Sequence, residues 1–291
     1  MLAAELARFF SKELADAIVS QTDALTEIRI RARRPVQLVS GTADCFCGEP
    51  VSGPQLHRML MAMMEHSYYA REEELAQGYF TMLNGCRVGV CGAYSVGDSG
   101  RVAMRAIGSA CIRIAREVRG CAEGVVEELL SGGGLSSAIL LSRPGMGKTT
   151  ILRDAARLLS QHGFAVGVAD ERHEIAACRD GIPTMDVGER TDVADGCPKH
   201  LAMERLIRSM SPQVIVTDEL GDVRDVEAVR EAARRGAAVL TSVHGAGFDR
   251  LRKGPVGALI SEGLFSTVFL LDGAPGRIAA VRHFGGDAEW S

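Results

Sequence analysis

The sequence predicts an α/β fold in two domains, a smaller α+β domain over 1–122 and a parallel-sheet domain over 123–291. Three observations carry that expectation. A strand, a glycine-containing loop, a Lys-Thr pair and a helix follow one another over 138–152. From Ser137 onward, apolar strands alternate with helical patterns, the rhythm of a parallel sheet covered on both faces. Before that, Asn84-Gly85 lies between two strand-like runs, the signal of an antiparallel hairpin. A chain of 291 residues is long enough for two cores.

In chain order, Leu6, Phe9, Phe10, Leu14 and Ile18 fall near helical spacing and predict one amphipathic helix over 2–20. Alternation over 26–31 (TEIRIR) predicts a half-buried strand, 35–40 a second, and 41–53 a turn-rich connector. Leu56, Met59, Leu60 and Met63 predict a helix over 55–65 whose methionines fill core gaps rather than bind metal. The hairpin strands are 79–83 and 86–91, and 101–107 and 111–115 read as two more. The expected linker is 120–124, followed by a short helix from 125 to 130 that the SGGG run ends. Beyond it come strands 138–141, 165–169, 214–217 and 237–242, helices 148–160, 201–210 and 223–234, and a terminal hairpin of 268–271 with 278–282.

The loop in 138–152 reads Ser142, Arg143, Pro144, Gly145, Met146, Gly147, Lys148, Thr149, Thr150. Its two glycines allow successive N–H groups to point at phosphate oxygens, and the following helix adds its positive dipole end. Lys148 is placed to reach the β- and γ-phosphates of ATP, and Thr149 to put a hydroxyl on Mg²⁺. Ser142 stands where the GxxxxGK[ST] pattern has Gly, which a serine tolerates if its φ is negative. A strand–turn–helix with a chance GKT is the bland alternative.

Strand 214–217 ends in Asp218-Glu219, about 70 residues after the loop. At that sheet edge Asp218 would hold Mg²⁺ through water, and Glu219 would orient or deprotonate the attacking water. DERHE at 170–174 also follows a strand, and its acids near a γ-phosphate require cations to compensate them; a solvated loop is the alternative. His244, after strand 237–242, suits a γ-phosphate sensor or an ordinary loop histidine. Arg113 and Arg116 precede the linker and could swing over the nucleotide to stabilise transition-state charge, with Arg87 and Arg105 as weaker candidates. Each arginine singly reads as a surface charge.

A composition of 46% hydrophobic and 24% charged residues is that of an ordinary soluble globular protein. A net charge of −4 argues against a broad nucleic-acid surface, so no nucleic-acid partner is expected and a nucleic-acid motor is the weaker alternative. The N-terminus reads as an amphipathic helix rather than a signal peptide, and no apolar run approaches the ~20 residues of a membrane span. Any membrane association is therefore expected through a partner. The eight cysteines form no CxxC pair and read as reduced cytoplasmic thiols, with Cys45 and Cys47 the closest in sequence.

Several longer stretches, taken together, are more specific than any one motif. They are EIRIRARRPVQLV (27–39), QGYFTMLNGCRVGVCG (77–92), IRIAREVRGCA (112–122), PGMGKTTILRD (144–154), DERHEIAAC (170–178), MDVGERTDVADGCPK (185–199), IRSMSPQVIVTDELG (207–221) and LTSVHG (240–245). With these the chain resembles the stage III sporulation protein AA family, relatives of the hexameric ATPases of type II and type IV secretion and pilus assembly. The resemblance implies a RecA-like ATPase domain after an α+β domain. It also implies four elements meeting at the nucleotide: a Walker A loop (142–149), an acidic box (170–174), a Walker B strand (214–219) and a His box (241–245). It matches Arg113 and Arg116 to an arginine-bearing strand and makes Glu171 a second candidate, beside Glu219, for polarising water. The family reading further implies a homo-oligomer, in hexameric form, that hydrolyses ATP with Mg²⁺ between subunits. Its partners would be membrane-embedded sporulation channel proteins, reached from the mother-cell cytoplasm. A nucleotide-gated scaffold with weak hydrolysis is the alternative that Ser142 raises. His173 stands where the family more often has Ser, and no physical role follows from sequence for Asp186, Arg190 or Asp192.

Overall fold

The chain separates into two units, Met1–Ala115 and Arg116–Ser291, earlier than the expected boundary at 122/123. The computed structural model describes residues 2–21, 24–41, 43–65, 72–82, 86–96, 102–114, 117–252 and 254–284.

The first unit opens with α1 (Leu2–Ala7) and α2 (Lys12–Ser20), where one continuous helix was expected. Ser11 is extended at φ −62°, ψ 158° at the N-terminal boundary of α2, while the Phe9 and Phe10 N–H groups close tight turns onto the Leu6 and Ala7 carbonyls. That break lets both adjacent phenylalanines pack against the core, whereas neighbours on a continuous helix point about 100° apart.

Next come β1 (Glu27–Arg31), β2 (Val36–Ser40) and β3 (Ala43–Cys47), then α3 (Gly53–Met63), α4 (Glu72–Ala76), β4 (Tyr79–Thr81), β5 (Arg87–Val96) and β6 (Val102–Arg113). The Ser52–Gln55 capping box starts α3. The strands form one antiparallel sheet in the order β3-β2-β1-β6-β5-β4. The expected hairpin is present as β4 and β5, but its Asn84-Gly85 turn lies outside the described residues. β3 replaces part of the expected connector, and β6 is one strand where two were expected. Two register shifts bend β5 against β6; at Gly92 a Cβ would meet the Ala106 carbonyl oxygen at 1.9 Å, so that position admits only glycine. The sheet buries Ile28, Ile30, Leu38, Phe80, Val88 and Ile112 with Leu14 and Ile18 of α2 and Leu56 and Leu60 of α3.

The second unit runs α5 (Glu123–Leu130), β7 (Ala138–Ser142), α6 (Lys148–Gln161), β8 (Val166–Asp170), β9 (Thr191–Asp195), α7 (Lys199–Ser209), β10 (Val214–Glu219), α8 (Val223–Arg234), β11 (Ala238–His244), α9 (Asp249–Arg252), α10 (Pro255–Ser261), β12 (Thr267–Leu271) and β13 (Ile278–His283). Its sheet order is β13-β12-β7-β11-β10-β8-β9. All neighbours are parallel except the terminal hairpin of β12 and β13. The apolar runs of β7, β8 and β10 are buried on both faces, as a covered parallel sheet requires. One face packs Val125 and Leu129 of α5 and Ile151, Leu152 and Leu159 of α6. The other packs Met203 of α7, Val229 of α8 and Leu259 of α10. Because these strands run in parallel, Ser142, Asp170, Glu219 and His244 all end at one edge of the sheet.

Candidate functional site

The loop after β7 takes its shape from two glycines and one serine. Gly145 and Gly147 lie at φ +78° and +85°, a region costly for other residues. Gly147 also caps α6 and sits so near the β12–β13 turn that a Cβ would meet the Gly276 nitrogen at 3.0 Å. Ser142 has no positive φ: it is the last residue of β7, paired in register with His244. A Cβ there costs nothing, so the missing first glycine leaves the loop's course intact. The Ser142 hydroxyl donates to the Arg143 carbonyl at 2.8 Å.

Lys148 opens α6 with its side chain almost fully buried. Its ammonium lies 3.3 Å from the Ser142 carbonyl, 3.2 Å from the Ser142 hydroxyl and 3.4 Å from the Arg143 carbonyl. It is also 2.9 Å from His244 Nδ1. Burial lowers the Lys148 pKa, with Glu219 pulling the other way. An ammonium can only donate, so His244 Nδ1 accepts and its Nε2 carries the proton toward Glu219 Oε2, 3.0 Å away. Lysine, histidine and glutamate thus form one chain of close polar contacts, from the start of α6 to the ends of β11 and β10.

A second chain starts at Lys199, the first residue of α7 and buried to 5% exposure. Its Nζ lies 3.2 Å from Glu171 Oε2 and 3.2 Å from Asp218 Oδ1, and donates to the Glu219 carbonyl at 2.6 Å. Burial pushes the Asp218 carboxyl up to about 6, with Lys199 opposing the rise. Burial works against the Lys199 charge, yet Asp218 and Glu171 together raise its pKa. Despite the nearby ammonium, Asp218 Oδ1 is buried without a well-directed hydrogen bond. A desolvated carboxylate oxygen left short of partners is costly unless a cation completes it. That oxygen is compatible with a cation such as Mg²⁺, for which Asp218 and the Thr149 hydroxyl are the candidate ligands.

Asp170, fully buried at the end of β8, differs from its neighbours. Its carboxylate accepts the N–H groups of Glu174, Ile175 and Ala176 at 2.9, 3.0 and 2.8 Å. From the opposite side Arg153 of α6 donates to the carbonyls of Ile175 and Glu174. Asp170 and Arg153 thus fasten the loop that carries Glu171.

Residues 1–287 match the family described as "Sporulation stage III, protein AA". The chain belongs to that family. Stage III sporulation protein AA of Bacillus subtilis (strain 168) is 39% identical over 236 residues, covering 79% of this chain and 76% of that protein. Among solved structures, the Legionella pneumophila ATPase DotB superposes with a TM-score of 0.59 at 17% identity, over 87% of this chain and 73% of its own. The pilus retraction motor PilT with bound ADP gives 0.58 at 14% identity, over 89% and 78%. At such identities the likeness is one of fold alone, an antiparallel-sheet unit followed in the chain by a mostly parallel-sheet unit.

Within this sporulation-family chain the structure brings together Ser142, Lys148, Glu219 and His244, and beside them Glu171 and Asp218. Arg143, Pro144 and Gly145 are exposed on the loop, and Met146, Thr149 and Thr150 are half-buried. Arg113 belongs to the first unit, where it ends β6 with an exposed side chain, and Arg116 lies outside the described residues. Arg87 stacks its guanidinium over Tyr79, 3.8 Å from the ring centre.

Sequence reasoning missed Lys199, Arg153 and the role of segment 185–199. Asp186 pairs with Arg119 at 2.9 Å and donates its N–H to Glu117. The Arg190 N–H donates to the Ser160 hydroxyl of α6, and Asp192 lies in the edge strand β9. His173 adopts φ +57° and meets Asp195 at 2.8 Å. The one available signal for Lys199 was a lysine opening a helix, where the dipole disfavours positive charge.

Proposed function

We propose that this chain is a Mg²⁺-dependent ATPase that does mechanical work on a membrane-embedded channel between mother cell and forespore. The observation that carries this reading is the Lys148–His244–Glu219 chain from the start of α6 to two strand ends, beside the under-coordinated Asp218. Phosphate oxygens would replace the carbonyls that now occupy the Lys148 ammonium, and the N–H groups around Gly145 and Gly147 would cradle them. Bound Mg²⁺ would neutralise charge on the β- and γ-phosphates. Glu219, steadied through His244, is the favoured group to orient the attacking water; Glu171, tied to Lys199, is the second.

Arg113 and Arg116 are proposed to complete the site of a neighbouring subunit in a homo-oligomeric, hexameric ring, with the mother-cell cytoplasm as the working place. Among the described residues no helix is long and apolar enough to cross a membrane, which supports attachment through membrane-embedded partners. The extended backbone at Ser142 favours turnover over the scaffold alternative, since the substitution does not deform the loop.

The test is Mg²⁺-dependent ATP hydrolysis across protein concentration, for this chain, Lys148→Ala and Glu219→Gln. Specific activity should rise with concentration in the parent and be lost in both variants. A parent that binds ATP yet hydrolyses none at any concentration, with channel partners added, would leave only the scaffold.

A further inference from the structure

We propose that Lys199 is a tethered cation that occupies the divalent-metal side of this site and makes metal entry depend on nucleotide. The inference rests on the Mg²⁺–ATP reading above and assigns a role to a residue, the last of the 185–199 stretch, for which the sequence offered none.

Lys199 is placed against its own local preferences. It is the first residue of an eleven-residue helix, where the backbone dipole repels a positive charge, and its ammonium is withdrawn from water. What holds it there is oxygen: Glu171 Oε2 and Asp218 Oδ1, each at 3.2 Å, and the Glu219 carbonyl at 2.6 Å. These three acceptors come from the ends of two different strands, and the lysine ties them together.

The fit to Asp218 is incomplete. Oδ1 lies within ion-pair distance of the ammonium but receives no directed hydrogen bond, and it is sealed from solvent. The tethered charge therefore balances the acidic edge without satisfying its best ligand. A divalent ion arriving alone must approach a fixed positive charge in a partly desolvated site, where like charges repel strongly. Arriving with a nucleotide, it brings phosphate charge that offsets the lysine. Lys199 would thereby keep Asp218 and Glu171 in place in the empty site and discourage metal without ATP.

The test measures Mn²⁺ binding directly, from the paramagnetic resonance of free Mn²⁺, on the full chain without nucleotide. The parent and Lys199→Arg, which keeps the charge, should bind Mn²⁺ weakly. Lys199→Met should bind it about tenfold tighter or more, and saturating ADP should shrink that difference. If Lys199→Met does not fold by circular dichroism, Lys199→Gln takes its place with the same expectation. Equal Mn²⁺ affinity in the parent and the neutral variant, or a Lys199→Arg chain as tight as the neutral one, overturns the proposal. A fluorescent ATP analogue titrated in saturating Mg²⁺ is read separately. Its failure to bind the parent overturns the ATPase reading and the nucleotide dependence, whereas unchanged Mn²⁺ affinity with normal analogue binding overturns only the role of Lys199.

Discussion

The Lys148 ammonium lies 2.9 Å from His244 Nδ1, and the opposite nitrogen of that ring reaches Glu219 at 3.0 Å. The imidazole is therefore the joint between the candidate phosphate-binding cation and the candidate base. His244→Ala removes the joint while leaving both ends. ATP affinity should stay within a few fold, and kcat should fall about 10- to 100-fold as Glu219 loses its orientation. Steady-state kinetics separates the two parameters, and an unchanged kcat would remove His244 from the site's working parts.

The acidic box divides into a fastener and a candidate reactive group. Asp170 accepts three backbone N–H groups in a fully buried position, whereas Glu171 is more than a third exposed and faces Lys199. Hydrogen bonds to a charged group contribute about 1.5–3 kcal/mol each. Asp170→Ala should thus cost about 3 kcal/mol or more in urea unfolding. Glu171→Gln should stay within about 1 kcal/mol and act on hydrolysis instead. The reverse order of stabilities would sink this division.

How much of this was legible follows from where each signal lies. The strands β7 and β10 announce themselves as unbroken apolar runs because both faces are buried, and the loop after β7 is legible because its chemistry is contiguous. The edge strands β3 and β9 were illegible: ADCFC and TDVAD bury too little to show alternation. The expected break between 107 and 111 falls where Ser109 and Ala110 pair on both sides, with β1 and β5, so the ladder overrides the local preference. Lys199 could not be found from spacing, since its partners lie 28 and 19 residues away on other elements. Only the folded sheet edge makes them neighbours.

Thiol reactivity should report which cysteines the folds protect. Burial pushes Cys178 up to about 12 and Cys121 up to about 11, with nearby carboxylates adding to both. A raised pKa leaves less thiolate, about one part in 10⁴ for Cys178 at pH 8. Cys91 is exposed on β5. Under iodoacetamide at pH 8, peptide mass spectrometry should find Cys91 modified first and Cys178 last. Labelling of Cys178 as fast as Cys91 would mean that the segment after the acidic box opens in solution.

Asp218 gives the fold a pH dependence of definite sign. Its carboxyl rises from 3.8 to about 6 in the native chain, burial being the largest cause. Between about pH 4 and 6 the native chain keeps a proton that the unfolded chain has released. This group's contribution to stability therefore falls as pH rises through that window and levels off above it. Asp218→Asn cannot titrate. Its loss of a partner for Lys199, charged throughout, adds a constant offset. In urea unfolding without nucleotide or metal, the variant should gain on the parent by about 2 kcal/mol from pH 4 to pH 7. A difference that stays flat with pH would show that the Lys199 ammonium fully compensates Asp218, and would take away the under-coordinated oxygen on which the metal assignment stands.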